Sequence, residues 1–301
     1  MAEHVLPRYP IYIPSKGRHD KCLTARFLIR DSVPFRLIIE PQERDAYARV
    51  FGDEHVLVLP FSNMGSVIPA RNWIKEHATV AGFSRHWQLD DNIAWVARRY
   101  KGRKVRCDAG VALAVTEDFV DRYENIAVAG LQYEMFLPNN EKYPPFVRNC
   151  HVYSCSLILN SLPHRWRGRY NEDTDLCLQV LADGWCTVLL NVFMIKKIRT
   201  MMMRGGNTAS LYQGDGRLRM ARSLERLWPG VVETHRRFKR PQHVVKNSWR
   251  LFDTLLRLKP DLVFDDKPNE YGMRLTQVAP TVRSEELRRL LEEYRASQGE
   301  E

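Results

Sequence analysis

The chain has 301 residues, with 46 Lys and Arg against 36 Asp and Glu, a formal net charge of +10 and a pI near 9.4. An apolar share of 44% excludes general disorder, and no run approaches the ~18 apolar residues that a membrane span needs, so no membrane partner is expected. The amino terminus, Met1-Ala2-Glu3-His4, lacks the basic and apolar regions of a secretory signal. The six cysteines (22, 107, 150, 155, 177 and 186) form no Cys-x-x-Cys pair, which argues against a zinc or redox motif and for reduced thiols. This length fits one large domain, or a core with an appendage.

In chain order, Pro10–Pro14 reads as a short buried strand followed by the polar turn Ser15-Lys16-Gly17-Arg18. Asp20–Arg30 has helical spacing, Phe35–Ile39 is a second strand ending at Glu40, and Pro41–Phe51 is helical. Val56–Leu59 is a third strand with Asn63 and Gly65 in its following loop, Ile68–Ala81 a helix, and His86–Leu89 a fourth strand ending at Asp90-Asp91-Asn92. Strands alternating with helices predict a parallel α/β sheet. Beyond Asp91 the alternation changes. Ile126–Ala129, Leu131–Phe136, Cys150–Leu159 and Cys186–Val192 are strand-like around one helix at Thr174–Ala182, which predicts mixed pairing. After Gly206 the character becomes polar and basic, with helices predicted over Arg217–Trp228, Ser248–Leu258 and Ser284–Arg295. The expected division is a core of residues 1–205 and a basic helical extension of residues 206–301.

The positive charge is unevenly placed. Arg98, Arg99, Lys101, Arg103, Lys104 and Arg106 form a run with no acid among them. Between Arg204 and Leu258 stand 12 Lys and Arg, including Arg217, Arg236, Arg237 and Lys239, against 4 Asp and Glu, interleaved with Trp228, Phe238, Trp249 and Phe252. Phosphate neutralisation and base stacking need these two residue types together. For a single stretch the plainer reading is a solvated helix face; two such stretches flanking one candidate site favour a nucleic acid. His164, His235 and His243 read as surface or nucleic-acid contacts rather than metal ligands.

Carboxylates at the end of a buried strand open onto the ligand crevice of an α/β sheet. They suit a divalent cation bridging a diphosphate, because hard cations take oxygen ligands; the plain alternative is a turn that caps a helix. Four further polar features also follow apolar runs: the Ser15–Arg18 turn, Glu40, the Asn63–Gly65 loop, and Ala70-Arg71-Asn72. This order resembles the GT-A glycosyltransferases. The resemblance implies a nucleotide-binding turn after the first strand, an acid after the second that meets the base, an Ala-Arg-Asn helix under the diphosphate, and a DxD-type motif for ribose and metal. Asn171-Glu172-Asp173-Thr174-Asp175-Leu176, followed by Gly184-Trp185, is similar to the acidic helix start from which inverting members draw their base. One carboxylate there must face the acceptor hydroxyl, across the anomeric carbon from the departing diphosphate.

Ile-Pro-Ser-Lys-Gly-Arg, Leu-Asp-Asp-Asn, Asn-Glu-Asp-Thr-Asp-Leu and Arg204-Gly205-Gly206-Asn207 together resemble the TET/JBP-associated glycosyltransferases of phage and related genomes, over roughly residues 8 to 210. The resemblance to that family implies transfer of sugars onto hydroxymethylated pyrimidines in DNA. The resemblance implies a GT-A-like mixed sheet flanked by helices and an inverting transfer from a UDP-sugar to 5-hydroxymethylcytosine or -uracil in DNA. It also implies a cytoplasmic setting in a phage-infected bacterial host. Pro14, Ser15, Lys16, Arg18, Glu40, Asn63, Gly65, Arg71, Asn72 and Asp90 are the expected donor contacts. Asp91 and Asn92 are expected to hold Mn or Mg, Asp173 to be the base, and Glu172 the runner-up. Where relatives offer a late metal-binding His, this chain has Lys196, Lys197 and Arg199, so a cationic side chain could neutralise diphosphate in place of part of the metal shell. Trp166, Trp228 and Trp249 are candidates for base stacking. Rival readings are a GT-A enzyme acting on a protein or polysaccharide, a nucleotidyltransferase, and a nonenzymatic DNA-binding protein.

Overall fold

Short runs of Ile, Leu and Val pack on both faces, and they form the centre of a large mixed sheet. The computed structural model describes residues 5–62, 65–139, 143–198, 216–237 and 239–262, with residues 267, 268, 274, 289, 290, 292–294 and 296. In chain order, β1 (Ile11–Pro14), α1 (Leu23–Arg30), β2 (Arg36–Ile39), α2 (Arg44–Phe51), β3 (Val56–Val58), α3 (Ile68–Val80) and β4 (Arg85–Leu89) are the alternating half. There β3, β2, β1 and β4 lie side by side and parallel. The chain steps outward from β1 to β3 and then returns to the other flank of β1 for β4. The order therefore reverses between β1 and β4, and α/β sheets bind ligands at such a switch point.

The second half is mixed, as expected. It contains β5 (Ile93–Tyr100), β6 (Arg103–Arg106), α4 (Ala109–Asp121), β7 (Ile126–Tyr133), β8 (Phe146–Arg148), β9 (Cys155–Leu159), α5 (Glu172–Ala182) and β10 (Cys186–Lys197). Strand β9 runs antiparallel to both β4 and β7, while β10 is parallel to β7 and antiparallel to β5 and β8. Gly130 of β7 is required by contact: a Cβ there would meet the Cys155 carbonyl oxygen at 2.2 Å. Helix α4, which the sequence reading passed over, is capped by Asp108 accepting from the Val111 amide. It buries Glu117, whose carboxylate accepts from the Arg8 and Tyr9 amides and from Trp87 Nε1.

The C-terminal region corrects the all-helical expectation. Helix α6 (Gly216–Leu227) forms, but it is followed by an antiparallel hairpin of β11 (Val232–Arg237) and β12 (Arg240–Val245). Val232, Thr234, Val244 and Val245 have β rather than helical preference. Ser248–Leu258 is not a helix. After a short turn at Lys246–Trp249 the chain has no regular element and is held by side chains at the ends of β7 and β8: Asn149 donates to the Phe252 and Thr254 carbonyls, Arg148 to Thr254, and Asn125 to Leu255. Leu224, Trp228, Val231, Val232, Val245, Leu251 and Phe252 pack with Leu178 and Leu181 of α5 in one apolar cluster. Most of the helix expected over Ser284–Arg295 lies outside the described residues.

Candidate active site

The turn between β4 and β5 carries Asp90, Asp91 and Asn92, and α1 fixes it from behind. Thr24 donates through Oγ1 to the Asp90 carbonyl, its amide donates to the Asp91 carbonyl, and the Ile93 amide donates back to Thr24 Oγ1. The Asp90 amide donates to the Ser154 carbonyl at 2.7 Å. Ser154 has φ +67°, a left-handed conformation that is costly for a residue other than glycine and tends to occur where a site imposes it.

The two carboxylates of the turn point to different partners. Asp91 is buried: its Oδ1 accepts from Arg18 Nη1 at 2.6 Å and its Oδ2 from Ser15 Oγ at 2.8 Å. Tyr47 of α2 closes this corner, its hydroxyl bonding Ser15 Oγ and accepting from the Arg18 amide. Burial raises the Asp91 carboxyl despite Arg18. Asp90 Oδ1 accepts from Arg71 Nη2 at 3.2 Å, and its Oδ2 accepts from Lys197 Nζ at 2.6 Å and Ser154 Oγ at 2.8 Å. Burial alone would raise Asp90, but Lys197 and Arg71 override it and hold the carboxyl well below the usual range.

Arg71 joins the two acidic motifs. Its guanidinium, 3% exposed, reaches Asp90 at 3.2 Å, Glu172 at 3.5 Å and Asp173 at 3.5 Å. Gln88 orients it: the Gln88 Oε1 accepts from Arg71 Nη1, while its Nε2 donates to the Arg71 carbonyl and lies 2.9 Å from His86 Nε2. Asn171, at φ +55°, turns the chain into α5 so that Glu172 and Asp173 fall in its first turn, facing Arg71. Asparagine tolerates that conformation better than most residues. Burial, and then the Asp173 charge, push the Glu172 carboxyl well above the usual range; burial raises Asp173 as well, against the pull of Arg71. A carboxylate so raised is suited to accept a proton near neutral pH.

The other expected donor contacts are placed as follows. Pro14 ends β1, and Lys16 pairs at 2.6 Å with Glu40, which is buried at the end of β2. Gly65 lies in the loop before α3 with φ +80°, and Asn63 lies outside the described residues. Asn72 exchanges two hydrogen bonds with the Trp166 backbone, so it fastens the segment before α5 to α3. Ser154, Tyr133, Gln88 and Tyr47 are site-lining residues that the sequence reading missed or left without a role, whereas Lys197 stands among the cations it offered for neutralising a diphosphate. The signal of the first four was weak because they stand alone, at strand ends and in a helix, outside any motif. Arg199 and Arg204-Gly205-Gly206-Asn207 lie outside the described residues.

The fit to a divalent ion can be tested on the oxygens. Both carboxylate oxygens of Asp90 and both of Asp91 already accept from cations or hydroxyls. Asn92 Oδ1 is buried with no hydrogen-bond partner, but it is a single neutral oxygen. Among the described residues no group of three or more His, Cys, Asp or Glu could hold a metal ion. As arranged, these residues do not fit one.

The expected nucleic-acid contacts divide into two groups. On the β5–β6 hairpin, pairing puts Arg98 opposite Val105 and Tyr100 opposite Arg103, all exposed on one face, with the Arg98 guanidinium 5.2 Å from the Tyr100 ring centre. Lys101 sits at the hairpin turn over the same ring. On the opposite face Arg99 donates to the Tyr143 carbonyl and Lys104 to the Glu134 carbonyl, while Arg106 lies over Trp95 and is itself exposed. Arg236, Arg237 and Lys239 are exposed at the tip of the β11–β12 hairpin, and Arg217 is half-buried in α6. Two of the stacking candidates are corrected, since Trp228 and Trp166 are buried core residues; Trp249 is half-buried against His151 and Phe252. His164 pairs with Asp183 and His235 with Glu233.

No helix of the described residues is long and apolar enough to cross a membrane. A search of curated proteins finds no match to the chain. A family model described as TET-Associated Glycosyltransferase matches residues 9–206.

Proposed function

This chain belongs to the TET-associated glycosyltransferase family and is a glycosyltransferase, and from that premise we propose that it moves a sugar from a nucleoside-diphosphate sugar, UDP-linked in the first instance, onto the hydroxymethyl group of a modified pyrimidine in DNA, with inversion. The observation that carries this reading is the Arg71 junction, which holds a switch-point carboxylate (Asp90) and the acidic start of α5 within 3.5 Å of one guanidinium. Donor and acceptor chemistry must meet at such a point, because the leaving diphosphate and the attacking hydroxyl lie on opposite sides of one carbon.

In the proposed reaction the acceptor oxygen attacks the anomeric carbon as the bond from that carbon to the diphosphate oxygen breaks. The electron pair leaves with the nucleoside diphosphate, and the hydroxyl proton passes to Asp173, with Glu172 beside it as the alternative acceptor. Lys16, Arg18 and Arg71 would stabilise the charge on the leaving group, and Glu40 and Asp90 would meet the nucleoside.

The DNA acceptor is supported by the family's description as TET-associated. It is supported independently by the exposed Arg98, Tyr100, Lys101 and Arg103 face, which combines phosphate-neutralising charge with a stackable ring. The hydroxymethyl group lies in the major groove of duplex DNA, and reaching a recessed base acceptor calls for its extrusion from the stack. Such an acceptor would place the reaction in the cytoplasm of a phage-infected bacterium.

The test is release of nucleoside diphosphate from UDP-sugars with four acceptors: DNA bearing 5-hydroxymethylcytosine or 5-hydroxymethyluracil, unmodified DNA, a protein and a glycan. Release only with hydroxymethylated DNA, with the sugar found on the base, supports the reading. Release with the protein or glycan alone would move the chain to the rival acceptor class.

A further inference from the structure

Lys197 is the last residue of β10, and its ammonium is drawn into the centre of the donor site rather than out to solvent. It donates to Asp90 Oδ2 at 2.6 Å, Ser154 Oγ at 2.7 Å and Tyr133 OH at 3.2 Å. Four elements converge on it: β10 supplies the lysine, the β4–β5 turn the aspartate, β7 the tyrosine, and the strained residue before β9 the serine. A lysine placed only for solubility would not need a left-handed serine to receive it. Nor would it be set beside Arg71, a second buried cation on the other oxygen of the same carboxylate.

A divalent ion on Asp90 would meet Lys197 and Arg71, and one on Asp91 would meet Arg18, each cation already bonded to that carboxylate; such repulsion is strong in a poorly solvated site. The segment that follows β10 carries no His, Cys, Asp or Glu over residues 199–214, and the first acid after them is Asp215. The position where a metal would neutralise a diphosphate is thus already positively charged by the chain itself. Burial opposes the Lys197 charge, but Asp90 more than compensates, and the ammonium stays protonated throughout the working range.

We propose that Lys197 takes the place of the divalent cation in this enzyme, so that the nucleoside diphosphate is bound and its leaving charge stabilised by Lys197 and Arg71 without metal. The proposal rests on the glycosyltransferase reading of the site but not on the identity of the acceptor. On donor binding the Lys197 ammonium turns one of its three hydrogen bonds from the protein to a phosphate oxygen. Asp90 remains ionised through Arg71 and Ser154.

The test is binding of UDP to the full chain by titration calorimetry, after metal stripping, in excess chelator and then with manganese. GDP, ADP, CDP and TDP are run beside it, and uridine serves as the phosphate-free control. For the wild type, a dissociation constant unchanged within about twofold between chelator and manganese is expected. For Lys197→Met, diphosphate binding should weaken at least tenfold while uridine binding changes less than twofold; Lys197→Arg should recover most of the loss. A structural role alone would weaken diphosphate and uridine alike, and that result overturns the proposal. So does wild-type binding that appears only with manganese, a comparison that stands even if Lys197→Met fails to fold. If no diphosphate binds under either condition, the donor reading fails together with this one. The assay contains no DNA, so failure of the DNA acceptor leaves its outcome unaffected.

Discussion

Glu172 and Asp173 are neighbours in sequence, and in the structure they share the same arginine, so the protonation of one depends on the charge of the other. Asp173→Asn should keep UDP binding within about twofold and lower turnover by roughly 10²–10⁴-fold, the usual contribution of a positioned base. Near wild-type turnover in that variant, with loss in Glu172→Gln, would transfer the role to Glu172. Because the base must be ionised and burial raises both carboxyls, kcat/KM should fall as the pH is lowered through an apparent pKa above the ordinary carboxylate range. A pH–rate profile flat down to pH 4.5 would contradict it. His86 affects stability instead. It is fully buried, and burial lowers its pKa from 6.5 to about 4. The folded state therefore refuses a proton that the unfolded chain accepts below pH 6.5. Stability present above that value should be lost as the pH falls towards 4, by on the order of 3 kcal/mol. Chemical denaturation of wild type and His86→Phe across that window measures it, and identical slopes would show that His86 is not responsible.

Among the elements, the β5–β6 hairpin is where the sequence was only half legible. Six basic residues without an acid announced a charged surface, but not that strand alternation would turn Arg99 and Lys104 inward to hold backbone carbonyls. Charge reversal at Arg98 and Arg103 should therefore raise the Michaelis constant for DNA severalfold without changing that for the sugar donor. Lys104→Glu should instead lower thermal stability; a DNA effect from Lys104→Glu as large as that from Arg103→Glu, without loss of stability, would show that the two faces are not distinct. The alternating half, with its strands, helices and polar strand ends, could be read from the sequence because local hydrophobic runs dictate each element there. The Lys197–Ser154–Tyr133 group could not, because its members are 64 residues apart at the widest and meet only through sheet pairing that no local pattern encodes. The β11–β12 hairpin was missed for the opposite reason. Its arginines and lysine dominate the composition, and they hide the valines that decide its pairing.

At the scale of the whole molecule, the family match ends at residue 206, yet the packing does not end there. Asp175 of α5, fully buried, accepts from Arg167 and from Trp228 Nε1 at 2.7 Å, and the Trp228 ring stacks on Tyr294. The helix that begins with the candidate base thus has its other face covered by residues beyond 216. A chain cut to residues 1–205 would expose Leu178, Leu181 and Ala182 and leave the buried Asp175 without its indole donor. It should be recovered insoluble or without a cooperative melt, whereas the full chain should melt as one unit; a soluble, cooperatively folded 1–205 fragment would show that the later residues are dispensable. That shared face also constrains inheritance. A recombination that exchanged the segment after residue 206 between relatives would bring in a new Trp228 position and a new apolar surface against an old α5. Only crossovers that carry a matching partner would leave Glu172 and Asp173 in register with Arg71. The two stretches are therefore expected to travel together between genomes, although only the first carries the family's motifs.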